Sequence, residues 1–280
     1  LTDGLLGTGF SLGGLSVISR VPSNYIDDGK VDRVNFDNND RLMLDGNRLV
    51  GYSGTYGSDG AKYLPLNFDG SLIIAHGGLN SQTSWFEVKT KSGLTMEYGH
   101  TQDSRITVPK GKIVTMWLLS KVSDATGNYY TINYERDTTT SDYWVKEITI
   151  NARENEKFQY YVVFNYTNRQ NADRYYINGY PTQLSKYLTE IAIYKKDKNS
   201  NGHIRSYVLT YQPACLGTRL QLTSITQKVG NVMLNPIIFK WKDEDYDIRP
   251  TTVGTYTVQG SQILTGDFNG DGRSDILSIS

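Results

Sequence analysis

Residues 117–135 read WLLSKVSDATGNYYTINYE, and this stretch has the pattern of a β-hairpin. Apolar residues recur along its first part, the polar segment DATGN occupies 124–128, and Tyr130, Ile132 and Tyr134 alternate on the return. Side chains in a strand point to opposite faces in turn, and Gly and Asn tolerate the positive φ of a tight turn. The stretch therefore predicts two antiparallel strands joined by a short turn.

The same outline recurs in three later segments, 144–166, 187–211 and 219–241. Each contains an apolar strand, a polar loop and a second strand that ends in Tyr or Trp. The pair Asp45-Gly46 between apolar residues predicts a further tight hairpin. With 21 Tyr among 280 residues, side chains suited to half-buried strands dominate. We therefore predict an all-β fold in which an extended array of antiparallel hairpins forms a curved sheet or shell segment.

The composition excludes several classes of partner and site. Lys+Arg and Asp+Glu both number 29, so the formal charge is zero and nothing indicates a nucleic-acid or anionic-membrane partner. The lone Cys215 rules out an intrachain disulfide and a thiolate zinc cluster. No apolar run is long enough to span a bilayer. Because the chain begins at Leu1 without Met and ends in a patterned segment, we expect it to be a piece of a longer protein.

Two patterns could indicate catalysis, and in both we favour a structural interpretation. Residues 9–13 satisfy G-x-S-x-G around Ser11, but the nucleophile elbow needs a helix afterwards, and 15–20 reads as a strand. Glycines that let strands bend or approach closely explain this region better. Glu87 and Glu97 could form the carboxylate pair of a glycoside hydrolase, although outward-facing polar positions on alternating strands account for both.

Other polar side chains near the start of the chain also have ordinary explanations. Asp37, Asp40 and Asp45 could suggest a metal site, but they lack ligand spacing and are better interpreted as solvated turn carboxylates. His76 and His100 each adjoin a glycine in an expected loop, as surface or hydrogen-bonded histidines often do.

The segment 266–275, GDFNGDGRSD, contains the strongest candidate site, a calcium loop. Oxygen ligands on alternate residues of a tight loop can converge on Ca²⁺, and a glycine at position 6 allows the sharp turn. The predicted ligands are the side chains of Asp267, Asn269, Asp271 and Asp275 and the main-chain carbonyl of Arg273. Position 12 is Ser278 rather than Glu, and strands flank the loop, so it is not an EF-hand. We predict a structural role for this calcium and no other cofactor.

These segments together resemble a known family. Residues 5–20, 40–49 and 117–134 resemble the SpvB-type domain at the N-terminus of insecticidal toxin-complex B components, and the resemblance extends over about residues 1–245. Residues 122–129 also resemble the tyrosine-aspartate repeat of Rhs proteins.

The end of the chain resembles a different unit. Residues 263–280 are similar to an FG-GAP repeat, one blade element of a calcium-binding β-propeller such as that of integrin α-chains. We therefore expect two domains, an SpvB-like and Rhs-like β domain at 1–250 and the first strands of a propeller-like blade at 251–280. The strands that usually precede Leu5 in the family are missing, and one blade element cannot close a propeller.

The resemblance implies a non-enzymatic role in a secreted virulence protein. In that family, SpvB-type and Rhs-like strands help build a hollow β shell around a toxic C-terminal polypeptide, and a propeller docks onto a pore-forming component. The implied partners are the remaining domains of the same longer chain, the toxin cargo and the pore-forming component. Two alternatives stay open: a carbohydrate- or cell-surface-binding adhesion module, suggested by 21 Tyr and 4 Trp, and a glycoside hydrolase-like enzyme using Glu87/Glu97 or Ser11.

Overall fold

The structure is a computed structural model that describes residues 4–109, 111–150, 159–177, 179–196, 201–214, 219–241, 262–266 and 275–279. Contacts divide the chain into two compact units, Leu1–Trp241 and Lys242–Ser280. Almost every regular element among the described residues is a strand, which confirms the predicted all-β fold. The predicted boundary between residues 250 and 251 lies outside the described residues and stays a prediction.

In chain order, the strands of the first unit are β1 (Val17–Val21), β2 (Arg41–Leu44), β3 (Asn47–Ser53), β4 (Lys62–Pro65), β5 (Leu72–His76), β6 (Trp85–Lys89), β7 (Thr95–Tyr98), β8 (Arg105–Thr107), β9 (Val114–Ser123), β10 (Tyr129–Asp137), β11 (Asp142–Ile150), β12 (Gln159–Ile177), β13 (Tyr180–Lys196), β14 (Asn201–Pro213), β15 (Leu220–Val229), β16 (Val232–Met233) and β17 (Ile237–Ile238). A four-residue helix, α1 (Tyr25–Asp28), lies between β1 and β2. No helix in the described ranges is long and apolar enough to cross a membrane.

Eight strands close into a barrel in the order β1, β2, β3, β4, β5, β6, β7 and β9, and β9 returns to β1. The closing pair places Ile18 opposite Trp117, and the other edge of β1 places Ile18 opposite Leu44. Asp45 and Gly46 both have positive φ between β2 and β3, as a type I′ hairpin requires, so the predicted tight hairpin is confirmed. The hairpin array predicted from the sequence did not include closure into a barrel.

Strand β9 belongs to both the barrel and a second sheet. Along one edge, residues 116–118 pair with β1 and residues 121–123 pair with β10. Along the other edge, β8 and β7 pair with successive halves of β9. The stretch with the clearest hairpin pattern in the sequence therefore joins the two sheets.

The second sheet, here called the meander, runs in chain order from β9 to β15 and ends with β16 and β17, which both pair with β15. Strand pairs lie within each of the four predicted segments, so the predicted series of antiparallel strands is confirmed. The prediction that each second strand ends in Tyr or Trp is wrong, because β10, β12 and β14 continue past Tyr134, Tyr166 and Tyr211, and Trp241 follows β17. Each strand from β11 to β15 contributes a buried apolar side chain to the common core. These side chains are Val145, Phe164, Leu188, Leu209 and Leu222.

An N-terminal segment at 4–15, without regular secondary structure, lies across the meander. The main-chain N–H of Leu188 donates to the carbonyl of Leu5 at 2.8 Å, and that of Thr8 donates to the carbonyl of Leu220 at 2.8 Å. Leu6, Phe10 and Leu12 pack against the buried cluster. The segment therefore covers apolar strand surface that would otherwise contact water.

Gly7 gives a direct test of this close approach. It has φ +79°, and a Cβ built on it would lie 2.4 Å from the carbonyl oxygen of Leu220. Gly14 has a similar φ of +84°, but nothing lies within 4 Å of its Cβ position. We expect Gly14→Ala to lower the free energy of unfolding by about 1–2 kcal/mol, the cost of placing alanine in the left-handed conformation. Gly7→Ala should lower it by about 1–3 kcal/mol more, because the added methyl group overpacks against Leu220. Urea unfolding followed by circular dichroism measures both, and equal losses would contradict the close approach.

The second unit contains a two-stranded antiparallel sheet of β18 (Gln262–Gly266) and β19 (Asp275–Ile279). Gly266 lies opposite Asp275 at the end from which residues 267–274 connect the strands. The predicted calcium loop is thus flanked by two paired strands.

Candidate functional site

The aromatic residue that ends each hairpin segment donates a hydrogen bond back to the first strand of the same segment. The four bonds run from Tyr134 Oη to the Leu119 carbonyl (2.7 Å), from Tyr166 Oη to the Val145 carbonyl (2.7 Å), from Tyr211 Oη to the Leu188 carbonyl (2.6 Å) and from Trp241 Nε1 to the Leu222 carbonyl (2.8 Å). In all four segments, the last aromatic side chain therefore donates to a main-chain carbonyl of the first strand.

Three of these aromatics, Tyr134, Tyr166 and Tyr211, also follow an irregularity in strand pairing, and we call them the bulge tyrosines. The register shifts fall between residues 133 and 134, 165 and 166, and 210 and 211. A β-bulge bends its strand and increases the local twist. Each bulge tyrosine therefore lies at an irregularity in the sheet, where its hydroxyl also links its strand to the preceding one.

Burial makes the bulge tyrosines harder to ionise. It raises the pKa of Tyr134, Tyr166 and Tyr211 above the ordinary value for a phenol, because the charged phenolate would be poorly solvated there. Each hydroxyl is a donor at neutral pH, as an ordinary phenol would be, and burial extends that range to higher pH. This arrangement links neighbouring strands of the meander by a buried hydrogen bond.

Removing a bulge-tyrosine hydroxyl should destabilise the sheet. Tyr166→Phe and Tyr211→Phe are each expected to lower the free energy of unfolding by about 1–3 kcal/mol, since each leaves a buried carbonyl without this donor. Tyr52→Phe is the matched control, because that side chain is 64% exposed. Urea unfolding at pH 7 measures the three values. If Tyr52→Phe costs as much as the other two, the hydroxyl bonds do not stabilise the meander.

The predicted calcium ligands fall mainly outside the described residues. Asp275 begins β19, and Asp267, Asn269, Asp271 and Arg273 lie in the part that is not described. Elsewhere in the described residues, no group of three or more His, Cys, Asp or Glu side chains is placed to hold a metal ion. The calcium loop stays a prediction.

Glu87 and Glu97 lie directly opposite each other on β6 and β7. Glu97 lies 2.6 Å from Nδ1 of His100 and 3.2 Å from Nζ of Lys121, and Glu87 lies 3.1 Å from Nζ of Lys89. Basic side chains therefore offset the like charges across this strand pair. The sequence identified both carboxylates, but only the structure shows that they are neighbours.

The two histidines both lie against one indole ring. His76 stacks on Trp85 with ring centroids 3.9 Å apart, and His100 lies 4.5 Å from the same ring. His76 is the last residue of β5 rather than part of a loop, so that prediction is wrong for His76. The pairing of His76 with Trp85 across β5 and β6 places the rings together.

The interpretation of Asp40 as a solvated turn carboxylate is also wrong. Asp40 is 4% exposed and lies 2.7 Å from Nη1 of Arg20, which is itself buried on β1. Asp37 and Asp45 do lie in turns, where they accept main-chain bonds from Asn39 and Val17. The signal in the sequence was Arg20, which is two positions from Ile18 and therefore on the same inward face of β1. A buried arginine needs a partner of opposite charge, and Asp40 is that partner.

Ser11 shows no nucleophile elbow. Ser11 is exposed in the N-terminal segment, and neither a strand before it nor a helix after it forms a nucleophile elbow. Cys215 lies outside the described residues.

A comparison with protein families decides where the chain belongs. The model of SpvB, described as the Salmonella virulence plasmid 65kDa B protein, matches residues 74–245, which is more than half of the chain. The chain is a member of the SpvB family. The match covers the barrel strands from β5 onward and the whole meander, and it ends before 263–280, so the FG-GAP resemblance stays a prediction.

Solved structures share the fold of this SpvB-family chain. The N-terminal domain of effector protein SpvB from Salmonella typhimurium strain LT2 is 14% identical, with a TM-score of 0.67 over 81% of this chain and 90% of that domain. The Photorhabdus luminescens Tc holotoxin pore is 13% identical, with a TM-score of 0.67 over 85% of this chain and 14% of that one. The TcdB2-TccC3-Cdc42 structure is 14% identical, with a TM-score of 0.64 over 86% and 14%.

The solved structures differ in how much of their own chains this chain covers. The SpvB-family chain accounts for nearly all of the SpvB N-terminal domain but only 14% of the toxin-complex chains. A search of curated proteins found no match. At these identities the solved structures establish the shared fold.

Proposed function

We propose that this chain is a non-enzymatic structural segment of a secreted bacterial toxin-complex or Rhs-like protein, and that it helps to build a β shell for toxin encapsulation and delivery. The observation that carries the proposal is the meander, a series of long hairpins with pairing irregularities at the bulge tyrosines, where we infer that the sheet curves. A wall that encloses a polypeptide needs a curved, continuous sheet. One face of an antiparallel sheet can line the interior while the other face lies outside.

The family and the fold support this role. The chain belongs to the SpvB family, and its fold recurs in toxin-complex chains that are several times longer. We infer that its partners are the remaining domains of its own longer chain, a toxin cargo polypeptide and a pore-forming component. We infer no catalytic step, since basic groups engage Glu87 and Glu97 and Ser11 lies in an open segment.

Protease protection of the cargo tests encapsulation. In the full-length protein that carries these residues, the cargo is expected to resist a protease that degrades the free cargo. The double variant Tyr166→Phe/Tyr211→Phe should shorten that resistance through local opening of the bent sheet, and Tyr52→Phe should not. Cargo degraded as fast in the assembled protein as in free form would overturn the proposal.

The calcium loop is a separate part of the proposal. Calorimetric titration of the chain with CaCl₂ is expected to give binding that Asp271→Ala abolishes, because one carboxylate ligand is lost. Calcium should also raise the melting temperature of the wild-type chain but not that of the variant, by mass action on the folded state. Equal calcium binding by both proteins would show that the metal lies elsewhere.

An enzymatic role has its own test. The chain is expected to release no more product from a panel of aryl glycosides than buffer does. Hydrolysis that disappears in Glu87→Gln or Glu97→Gln, with folding unchanged, would establish the carboxylate pair as catalytic and overturn the non-enzymatic role.

A further inference from the structure

A cavity of about 380 Å³ lies where the segment before β6, the strand β8, the turn between β8 and β9 and the end of β10 meet. Its wall includes three basic side chains, Arg105, Lys112 and Arg136, and neutral donors such as Thr107 and Gln102. Among the described residues, no carboxylate belongs to this lining. The volume falls in the range of about 300–1,000 Å³ that small-molecule sites occupy.

Within the described residues, the three cations form no salt bridge. In the part of the chain that the structure describes, no carboxylate oxygen lies within 4.0 Å of a charged nitrogen of Arg105, Lys112 or Arg136. The chain as a whole has no net charge, so this local excess does not reflect its composition. The cavity is consequently an electropositive site in a neutral protein.

Neighbouring carboxylates are committed elsewhere. Asp103 accepts a hydrogen bond from the main-chain N–H of Tyr134 at 2.7 Å, and Asp137 accepts from the main-chain N–H of Thr139 at 2.8 Å. Asp103 still attracts the Arg105 guanidinium at longer range. Neither carboxylate supplies a direct partner to the basic groups of the cavity.

Main-chain carbonyls hold the two arginines in place. Arg105 Nη1 donates to the carbonyls of Gly99 at 2.6 Å and His100 at 3.2 Å, and Arg136 Nη1 donates to the carbonyl of Arg105 at 2.6 Å. Each guanidinium has five N–H groups, so most donors remain for a ligand. Burial and then repulsion from Arg136 lower the pKa of Arg105, and a bound anion would relieve that repulsion.

We propose that this cavity binds a small molecule through a tetrahedral oxyanion, a phosphate or sulfate group, held by Arg105, Arg136 and Lys112. A phosphate group near pH 7 carries a charge of about −1.5 to −2 and three strong acceptor oxygens, which suits three converging cations. Guanidinium groups bind such oxygens with two parallel hydrogen bonds, and fixed arginines lose little entropy when they do so. This inference does not depend on the proposed shell function.

The test is titration of the purified chain with inorganic phosphate, sodium sulfate and sodium acetate at matched ionic strength, followed by NMR or calorimetry. We expect phosphate and sulfate to bind with Kd of about 1 mM or tighter and acetate at least about tenfold more weakly. No saturable signal up to about 20 mM phosphate, or equal binding of acetate, would overturn the proposal.

Variants separate the site from general charge effects and from misfolding. Lys112 is exposed and makes no hydrogen bond or ion pair in the described residues, so Lys112→Gln should weaken phosphate binding several-fold without changing the melting temperature. Arg136→Gln should weaken it at least about tenfold, the loss of one charge-assisted contact. Arg33→Gln, an exposed arginine outside the cavity lining, is the control. Binding unchanged in Lys112→Gln and Arg136→Gln, or weakened equally by Arg33→Gln, would overturn the assignment.

Discussion

Replacing Arg20 by leucine is expected to lower the free energy of unfolding by about 3–5 kcal/mol, because it leaves the buried carboxylate of Asp40 without its charged partner. The guanidinium also donates from Nε to the Val114 carbonyl at 2.8 Å and from Nη1 to the Asp37 carbonyl at 2.8 Å. Its Nη2 donates to the Leu79 carbonyl at 2.5 Å. Arg20 thus links its own strand, β1, to three other segments, which contain residues 37–40, 79 and 114.

Two comparisons make the Arg20 experiment specific. Arg33→Leu changes an exposed arginine and should cost less than about 0.5 kcal/mol. The double variant Arg20→Leu/Asp40→Leu should be less destabilised than the sum of its single variants, since it removes the unpaired buried charge. Urea unfolding followed by circular dichroism measures all four proteins. A strictly additive double variant would show that the ion pair is not the source of the loss.

Trp117→Ala should produce a loss of similar size, about 3–5 kcal/mol, because it opens a cavity where β9 serves both sheets. Trp117 is fully buried and packs edge-to-face on Phe86 with ring centroids 5.0 Å apart. Its Nε1 donates to the Ser84 carbonyl at 2.9 Å. A Cβ on Gly99 would lie 2.3 Å from the indole, which shows how closely the backbone packs there.

The control for Trp117 is a tryptophan of the meander. Trp144 is only partly buried, so Trp144→Ala should lose less than half as much stability. Trp117→Phe should fall between the two, since it retains most of the ring volume but loses the N–H donor. Chemical unfolding at 25 °C gives the three values. Equal losses at positions 117 and 144 would contradict a special role for the shared strand.

Short-range features of the fold were predictable from the sequence. The alternation in 117–135 and its three recurrences correspond to paired strands, and Asp45-Gly46 forms the turn it predicts. The Tyr or Trp at the end of each segment marked a real structural position, although the sequence did not show what its polar atom contacts. Such features depend on residues close in sequence, whose strand period and turn conformations are local properties.

The candidate sites were less predictable because they assemble from distant residues. Glu87 and Glu97 were identified individually, but their opposition depends on the pairing of β6 with β7. The buried position of Asp40, just before β2, depends on Arg20, which comes from β1. The basic cavity brings Arg105 and Arg136 together where the end of β10 lies against β8, and no spacing along the chain indicates that proximity.

The sequence by itself determined that the chain is built from antiparallel hairpins, where several of them turn, and which aromatic residues recur in them. Only the tertiary structure decided that β9 returns to β1 and closes a barrel, with Ile18 opposite Trp117. The physical reason is that alternation along a strand predicts the face of the sheet on which each side chain lies. It does not predict which other strand pairs with that strand. That choice depends on packing over the whole core, which the single hairpin does not contain.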